Sequence, residues 1–513
     1  MIGRYRHTYS LLWLTLASVF FYGWWDIRYV VLLLCSISFN YAAGYFIGKK
    51  ITQPLRNGES KIALILAIFL NLLMLGYFKY ANFLMVNFNQ FLDTSFSINS
   101  ITLPLGISFF TFTQIAFLVD TYQGKVKEFN FIHYTLFVTY FPHLIAGPVL
   151  HHKEMMPQFA KQQVCRANMN NIATGFTIFV IGLAKKTLLA DSMAEFSTPI
   201  FNAVAQGGQP MLFEAWIAAL AYTFQLYFDF SAYCDMAIGL SLMLNVRLPL
   251  NFNSPYKATN IIEFWRRWHI TLSRFLRDYL YIPLGGNRHG KYQRHLNLMI
   301  TMLLGGLWHG AGWTFIIWGG LHGIYLIINH LWRAMKAYLQ IGQGGRMFNF
   351  LSGILTFGAV VVGWVFFRAD TYSSAITLLR GMLGMNGISL PSLFEEKLSS
   401  YLLNNNNVIF KGLHPLVYDL NPNAAIFFIT VCCLLVWATP NIAQLFQDYH
   451  PTCEDLSSHN HSASGTPLVG LTKKVMPYYQ WQPSKICAWL IGVLFCFSIL
   501  ELNHVSEFLY FQF

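Results

Sequence analysis

Leu303 to Gly323 reads LLGGLWHGAGWTFIIWGGLHG and lies inside a run of 38 residues, His295 to Trp332, that contains no Asp, Glu, Lys or Arg. One helix needs ~20 mostly apolar residues to cross a bilayer, so the run is long enough for a crossing and the start of a second. It also carries two histidines, His309 and His322, each beside glycines. What they do depends on whether the whole chain belongs in lipid.

Composition answers that. Of 513 residues, 55% are hydrophobic, 17% aromatic and only 11% charged, far less charge than a soluble chain of this size carries. Uncharged runs of spanning length recur at 7–25, 29–48, 62–78, 94–119, 129–152, 167–184, 295–332, 347–367, 420–447 and 486–500. The reading is an all-α polytopic membrane protein of roughly eleven spans. The first apolar stretch is followed directly by a second and shows no small-residue cleavage site, so it reads as a retained helix and not as a signal peptide.

Lys and Arg collect in cytoplasmic loops. Arg4 and Arg6 precede the first span, and Lys49, Lys50, Arg56 and Lys61 follow the second, which puts the N-terminus and the second turn inside. Lys473, Lys474 and Lys485 precede the last apolar run and no Lys or Arg follows them, so the C-terminus is expected outside.

The net charge of +12 is concentrated: Arg247 to Arg294 holds nine Lys or Arg against Glu263 and Asp278, which is +7. Within it FWRRWHITLSRFLRDYLYIPLGG spaces Trp265, Trp268, Leu272, Phe275 and Tyr279 at three and four residues, an apolar helical stripe flanked by arginines. This predicts an amphipathic helix at the cytoplasmic interface, or a belt in which Arg266, Arg267, Arg274 and Arg277 hold the phosphates of a soluble donor. Nothing else resembles a nucleic-acid module, so nucleic acid is not an expected partner.

The eight cysteines form no C-x-x-C pair and mostly sit in apolar runs, as small core residues do. His450, His459 and His461 near Cys453 match no zinc spacing, and the loop 448–484 reads as solvated. No metal site and no tightly bound cofactor are expected. Pro104 and Gly106 in LPLGISFF, and Pro142, Gly147 and Pro148 in YFPHLIAGPVL, interrupt apolar segments. Broken backbone at membrane depth is tolerated where protein buries it or where it lines a cavity. Ordinary kinks are the alternative. His309 and His322 then face either a narrow passage, as ionisable residues inside a bilayer do, or a satisfied core. Ligation of haem is a third reading, but it needs a partner helix that His133 and His143 do not supply.

The stretches PLGISFFTFTQIAFLVDTY, FPHLIAGPVL, FDFSAYCDMAIGLSLMLNVRLPLNFNSPY, FWRRWHITLSRFLRDYLYIPLGGNR and LNLMITMLLGGLWHGAGWTFIIWGGLHG resemble the membrane-bound O-acyltransferase (MBOAT) superfamily and, within it, the bacterial alginate O-acetyltransferase-like branch. The resemblance runs from about residue 100 to 335. It implies a single membrane domain over 1–513, a ring of helices with re-entrant pieces around a central funnel and tunnel, and a catalytic histidine that falls on His322, with His309 the second characteristic histidine. The loops 385–424 and 448–484 match nothing of that kind.

Such a protein is expected to pass an acetyl group from acetyl-CoA in the cytosol, across the bacterial inner membrane, toward an exported polysaccharide such as alginate. A neutral imidazole near its ordinary pKa suits the proton transfers: His322 as general base, His309 as the group that orients the thioester. Asp191, in GLAKKTLLAD, is a weaker candidate for an orienting carboxylate beside the simpler reading of a helix end. The C-terminal EFLYFQF, 507–513, is either an interfacial aromatic anchor or, by resemblance, a tail whose Tyr510 accepts the acyl group and hands it to a periplasmic acetyltransferase partner of hydrolase-like fold. D-alanyl transfer to teichoic acid and a transporter or flippase are the alternatives.

Overall fold

The computed structural model describes residues 7–51, 57–96, 101–340, 342, 344–390, 408–412, 416–417, 420–453, 480–504 and 509, apart from 127, 146 and 165. Among them the chain is mostly helical. α1 (His7–Trp25), α2 (Ile27–Ile51) and α3 (Asn57–Leu75) come first, and α3 runs on through a π-helical turn, Gly76–Tyr80, into α4 (Ala81–Leu92). α5 (Ile107–Tyr122), α6 (Phe131–Thr139) and α7 (His152–Phe159) follow. α8 (Met169–Ala184) continues through a second π turn, Lys185–Ala190, into α9 (Asp191–Ala205), and α10 (Leu212–Met243) packs back along them. α11 (Ile261–Arg267), α12 (Ile270–Leu276), α13 (Gly290–His309), α14 (Trp313–Tyr338), α15 (Arg346–Arg368) and α16 (Tyr372–Met382) complete the central part. α17 (Pro422–Ala438) and α18 (Lys485–Leu500) lie beyond a short parallel pairing of Ile388–Ser389 with Val408–Ile409.

Among the described residues, six helices are long and apolar enough to cross a membrane: Ile27–Lys50, Gly58–Leu92, Met169–Ala205, Trp313–Tyr338, Arg346–Arg368 and Lys485–Asn503. They make the chain a multi-pass membrane protein. Other apolar runs are divided or carry polar groups. In the run 94–119, residues 101–106 are irregular and the 16-residue α5 follows, and 129–152 holds the nine-residue α6 with residues 140–145 outside any helix. Hydropathy alone does not register these breaks. Trp13, Phe20, Leu66, Phe69, Leu73 and Trp489 are exposed on the outer helices, the surface that hydrocarbon covers.

The expected amphipathic helix over Trp265–Tyr279 is not continuous. It stops at Arg267 and restarts at Ile270, with His269 at φ +42° between the pieces. Residues 251–253 cause the break: Asn253 N–H donates to the Arg267 carbonyl, Ile270 N–H to that of Asn251, and the Asn251 side chain lies 3.1 Å from His269 Nδ1. Trp268 and Leu272 are buried in the protein, so part of the apolar stripe faces the core and not the bilayer surface.

The two ends of the bundle are distinguishable. A Cβ at Gly48 would touch Phe129 and Thr121, so the C-terminal ends of α2 and α5 lie side by side, beside Lys49 and Lys50. At the opposite end the Tyr29 hydroxyl donates to Thr102 O at 3.0 Å and ties the start of α2 to the irregular stretch before α5.

Candidate active site

α13 and α14 form a hairpin whose backbones touch. A Cβ on Gly306 would stand 2.3 Å from Phe315 O, and one on Gly319 would stand 2.3 Å from Met302 O. Small residues permit that approach, and it brings the end of one helix against the start of the other. His309 is the last residue of α13, and His322 lies three turns into α14. Both are buried. Between them stands Trp318, whose ring centroid is 5.0 Å from His309 and 4.9 Å from His322.

His322 is enclosed by Phe264, Trp265, Trp318, Tyr325 and Trp364. The indole N–H of Trp265 donates to His322 Nδ1 at 3.3 Å. An indole nitrogen only donates, so Nδ1 is the acceptor and the neutral ring carries its proton on Nε2. Nε2 has no hydrogen-bond partner among the described residues. It faces Gly363, where a Cβ would stand 2.9 Å away. A buried N–H without a partner costs free energy, and a substrate oxygen or sulfur would satisfy it.

His309 borders a cavity of about 410 Å³ that is also lined by Trp25, Lys79, Leu103, Pro104, Gly106 and Ile145. The irregular backbone around Pro104 and Gly106 is therefore cavity wall. Gly106, at φ +68°, lies so close to Leu144 O that a Cβ would sit 2.8 Å from it. The cavity lies at the Tyr29 end of the bundle, opposite Lys49 and Lys50. It reaches His309; His322 lies behind Trp318 and is not part of its lining.

Lys79 was not anticipated. Its ammonium donates to Trp308 O at 2.5 Å, His309 O at 3.2 Å and Ser108 Oγ at 3.4 Å. The last carbonyls of a helix have no intrahelical partners and carry partial negative charge, so this cation caps the helix that ends at His309. The signal was present: Lys79 is the only Lys, Arg, Asp or Glu between Lys61 and Asp93.

The arginines separate. Arg267 pairs with Glu263 at 2.7 Å, Arg274 with Glu154 at 2.8 Å and Arg277 with Asp278 at 2.7 Å, while Arg266 is exposed. None of them lines the cavity. Lys257 in the same segment donates to Thr439 O at 2.8 Å. Burial, and then Arg267, pull its ammonium down to about 8.

Asp191 does not end a helix. It follows the π turn within the continuous α8–α9 rod, is 6% exposed, and meets Lys186 Nζ at 2.7 Å. Lys186 also reaches Asp229 of α10 at 2.9 Å. Asp229 Oδ2 in turn accepts the backbone N–H of Leu509 at 3.1 Å. Leu509 is 4% exposed, in the same hydrophobic cluster as Trp318 and Trp364. Tyr510 itself lies outside the described residues.

A multi-pass helical protein that buries two histidines against one indole, with one of them on the wall of a cavity, has the outline of a membrane-embedded transferase. The model of MBOAT, the membrane-bound O-acyltransferase family, matches residues 63–369, more than half of the chain, and the chain belongs to that family. It is 46% identical over 439 residues to a peptidoglycan O-acetyltransferase of Helicobacter pylori, covering 79% of each chain. To a probable alginate O-acetylase AlgI of Pseudomonas aeruginosa it is 42% identical over 401 residues, 77% of this chain and 73% of the relative. A teichoic acid D-alanyltransferase of Streptococcus thermophilus is 30% identical over 244 residues, 45% of this chain and 58% of the relative. The protein is an acyltransferase.

Proposed function

We propose that the protein transfers an acetyl group from acetyl-CoA to an exported polysaccharide of the cell envelope, with His322 as the proton-transfer group. The helices are read as a ring of roughly eleven around a funnel and tunnel. The Lys49 and Lys50 end faces the cytoplasm and the cavity opens on the other side. The observation that carries the reading is the pairing of His309 and His322 across Trp318, with His309 on the cavity wall. Two relatives named for O-acetyl transfer match the chain over more of its length than the D-alanyltransferase does, which favours acetyl over alanyl transfer.

The chemistry is an acyl exchange. A hydroxyl oxygen attacks the thioester carbonyl while its proton passes to His322 Nδ1, which the Trp265 N–H must first release. The tetrahedral intermediate collapses, the C–S bond breaks, and the imidazolium returns one proton to the thiolate. The first acceptor is read as the phenol of Tyr510. The burial of Leu509, and the hydrogen bond from its backbone N–H to Asp229, support a tail that enters the protein and is not a surface anchor. A periplasmic partner then attacks the tyrosyl ester with its own hydroxyl, and the phenol regains its proton.

Mass spectrometry of envelope polysaccharides from cells lacking the gene, complemented with wild type or with His322→Ala, tests this. Loss of O-acetyl groups in the null strain, restored only by wild type, is expected. Unchanged acetylation in the null strain removes the proposed function, and D-alanyl esters lost in their place would support the second transfer reaction.

A further inference from the structure

Away from the paired histidines, at the Lys49 and Lys50 end of the bundle, the fold gathers a second set of donor atoms from three separate elements. Asp120, in the last turn of α5, is 1% exposed. His151 and His152 stand at the start of α7, and Tyr279 lies in a third π turn, Arg277–Tyr281. His151 Nε2 is 3.1 Å and His152 Nδ1 is 3.5 Å from the same oxygen, Asp120 Oδ2. The Tyr279 hydroxyl is 2.8 Å from that oxygen and 2.5 Å from His151 Nε2. One ligand atom from each of Asp120, His151 and His152 lies within 4.8 Å of the others.

Hydrogen bonding does not account for all of this. His152 is 5% exposed, yet neither of its ring nitrogens makes a hydrogen bond among the described residues. Leaving such a group buried costs about 1–3 kcal/mol. Metal–donor bonds of ~2.0–2.1 Å in tetrahedral geometry place neighbouring donors roughly 3.3–3.4 Å apart, and the two His–Asp separations bracket that value; the Tyr279 oxygen, hydrogen-bonded to Asp120 and His151 at 2.8 and 2.5 Å, would have to draw back by roughly 0.5–0.9 Å to share the ion. Lys125 approaches the other carboxylate oxygen, Oδ1, at 3.5 Å, leaving Oδ2 to the histidines.

We propose that Asp120, His151 and His152 bind a divalent transition metal of the Zn²⁺ type, with the Tyr279 oxygen at the fourth position. Two imidazoles, a carboxylate and a phenol oxygen suit borderline ions such as Zn²⁺ better than Mg²⁺ or Ca²⁺, which take oxygen ligands. Four protein donors make a closed, structural site. It fastens α5 and α7 to the π turn of the basic segment. Ring contacts continue from it through Tyr279, Phe275, Phe112 and Trp308 to His309, so loosening this clasp would loosen one wall beside that histidine. The proposal does not depend on which acyl group or acceptor the enzyme uses.

The test uses the full chain, purified in detergent through a tag free of histidine, desalted into metal-free buffer and analysed by inductively coupled plasma mass spectrometry. About one equivalent of a transition metal per chain is expected in the wild type, and less than about a tenth in His152→Ala. A strong chelator should lower the wild-type melting temperature by several degrees, with Zn²⁺ restoring it. Co²⁺ loaded into the chelated wild type should show the visible bands of a tetrahedral site, so the proposal stands on wild-type protein even where the variant folds poorly. Wild-type protein that holds no metal and takes up neither Zn²⁺ nor Co²⁺ overturns it, and so does metal retained in full by a folded His152→Ala, which would mark an adventitious ion only.

Discussion

The ammonium of Lys79 stands 3.2 Å from the carbonyl oxygen of His309, 230 residues further along the chain, and closes the helix that presents this imidazole to the cavity. Lys79 is half-buried, and a charge in an apolar segment is costly unless its proton donors are used; here they meet two carbonyls at the end of α13 and a serine hydroxyl. The contact joins the π turn of the α3–α4 rod to the hairpin that carries both histidines.

Lys79→Met keeps the length of the side chain and removes its donors. The freed carbonyls at the end of α13 cost about 1–3 kcal/mol, and His309 loses its fixed position. The expected outcome is inserted protein with acetyl transfer reduced roughly tenfold or more, measured as turnover in detergent or nanodiscs. Full turnover with an unchanged melting temperature would show that the cap is dispensable.

His322→Ala is expected to lower transfer by about 10²–10⁴-fold, the usual weight of a positioned acid–base group, with normal expression. His309→Ala should be less severe because water can replace part of an orienting contact. Trp265→Phe keeps an aromatic ring beside His322, removes the N–H that holds Nδ1 and trims the indole to a smaller phenyl. A hydrogen bond of about 0.5–1.5 kcal/mol corresponds to roughly a 2–10-fold change, expected in kcat with little effect on the donor KM. A change confined to the donor KM would mean that Trp265 contacts the donor and does not orient the imidazole.

Among the four arginines proposed for the donor, ion pairing makes Arg266 the most informative. Reversal of Arg267, Arg274 or Arg277 places like charges beside Glu263, Glu154 or Asp278 and disturbs structure. Arg266→Glu, at an exposed position, should raise the donor concentration for half-maximal rate several-fold while the melting temperature stays put. Unchanged donor dependence removes it from the donor site.

Tyr510→Phe keeps an aromatic ring for an interface and removes the phenol oxygen. Loss of polysaccharide acetylation at normal protein levels is expected for the relay, and full activity would return the tail to an anchoring role. Asp229→Asn keeps an oxygen for the Leu509 amide but weakens the pairing with Lys186. The expected result is a partial fall in turnover, with larger loss in Asp229→Leu, where the amide has no acceptor. Equal activity in both would show that Asp229 does not position the tail.

Much of this protein was legible along the chain because the bilayer imposes a local rule: backbone polar groups must pair within the segment, so apolar length reports helices without knowledge of neighbours. The same rule makes an ionisable residue in such a segment conspicuous, which is why His309 and His322 stand out, and the isolated charge of Lys79 is a signal of the same kind. What only the tertiary structure decided concerns atoms brought together from distant positions. The break at His269 is made by Asn251, 18 residues upstream, so helical spacing from Trp265 to Tyr279 carried no trace of it. Asp191 reads as a helix end until Lys186 and Asp229 are set beside it. Asp120, the His151–His152 pair and Tyr279 lie in three stretches that mean little separately. Hydropathy and periodicity report how a segment meets its solvent, whereas directional contacts at about 3 Å between remote side chains exist only once the helices have packed.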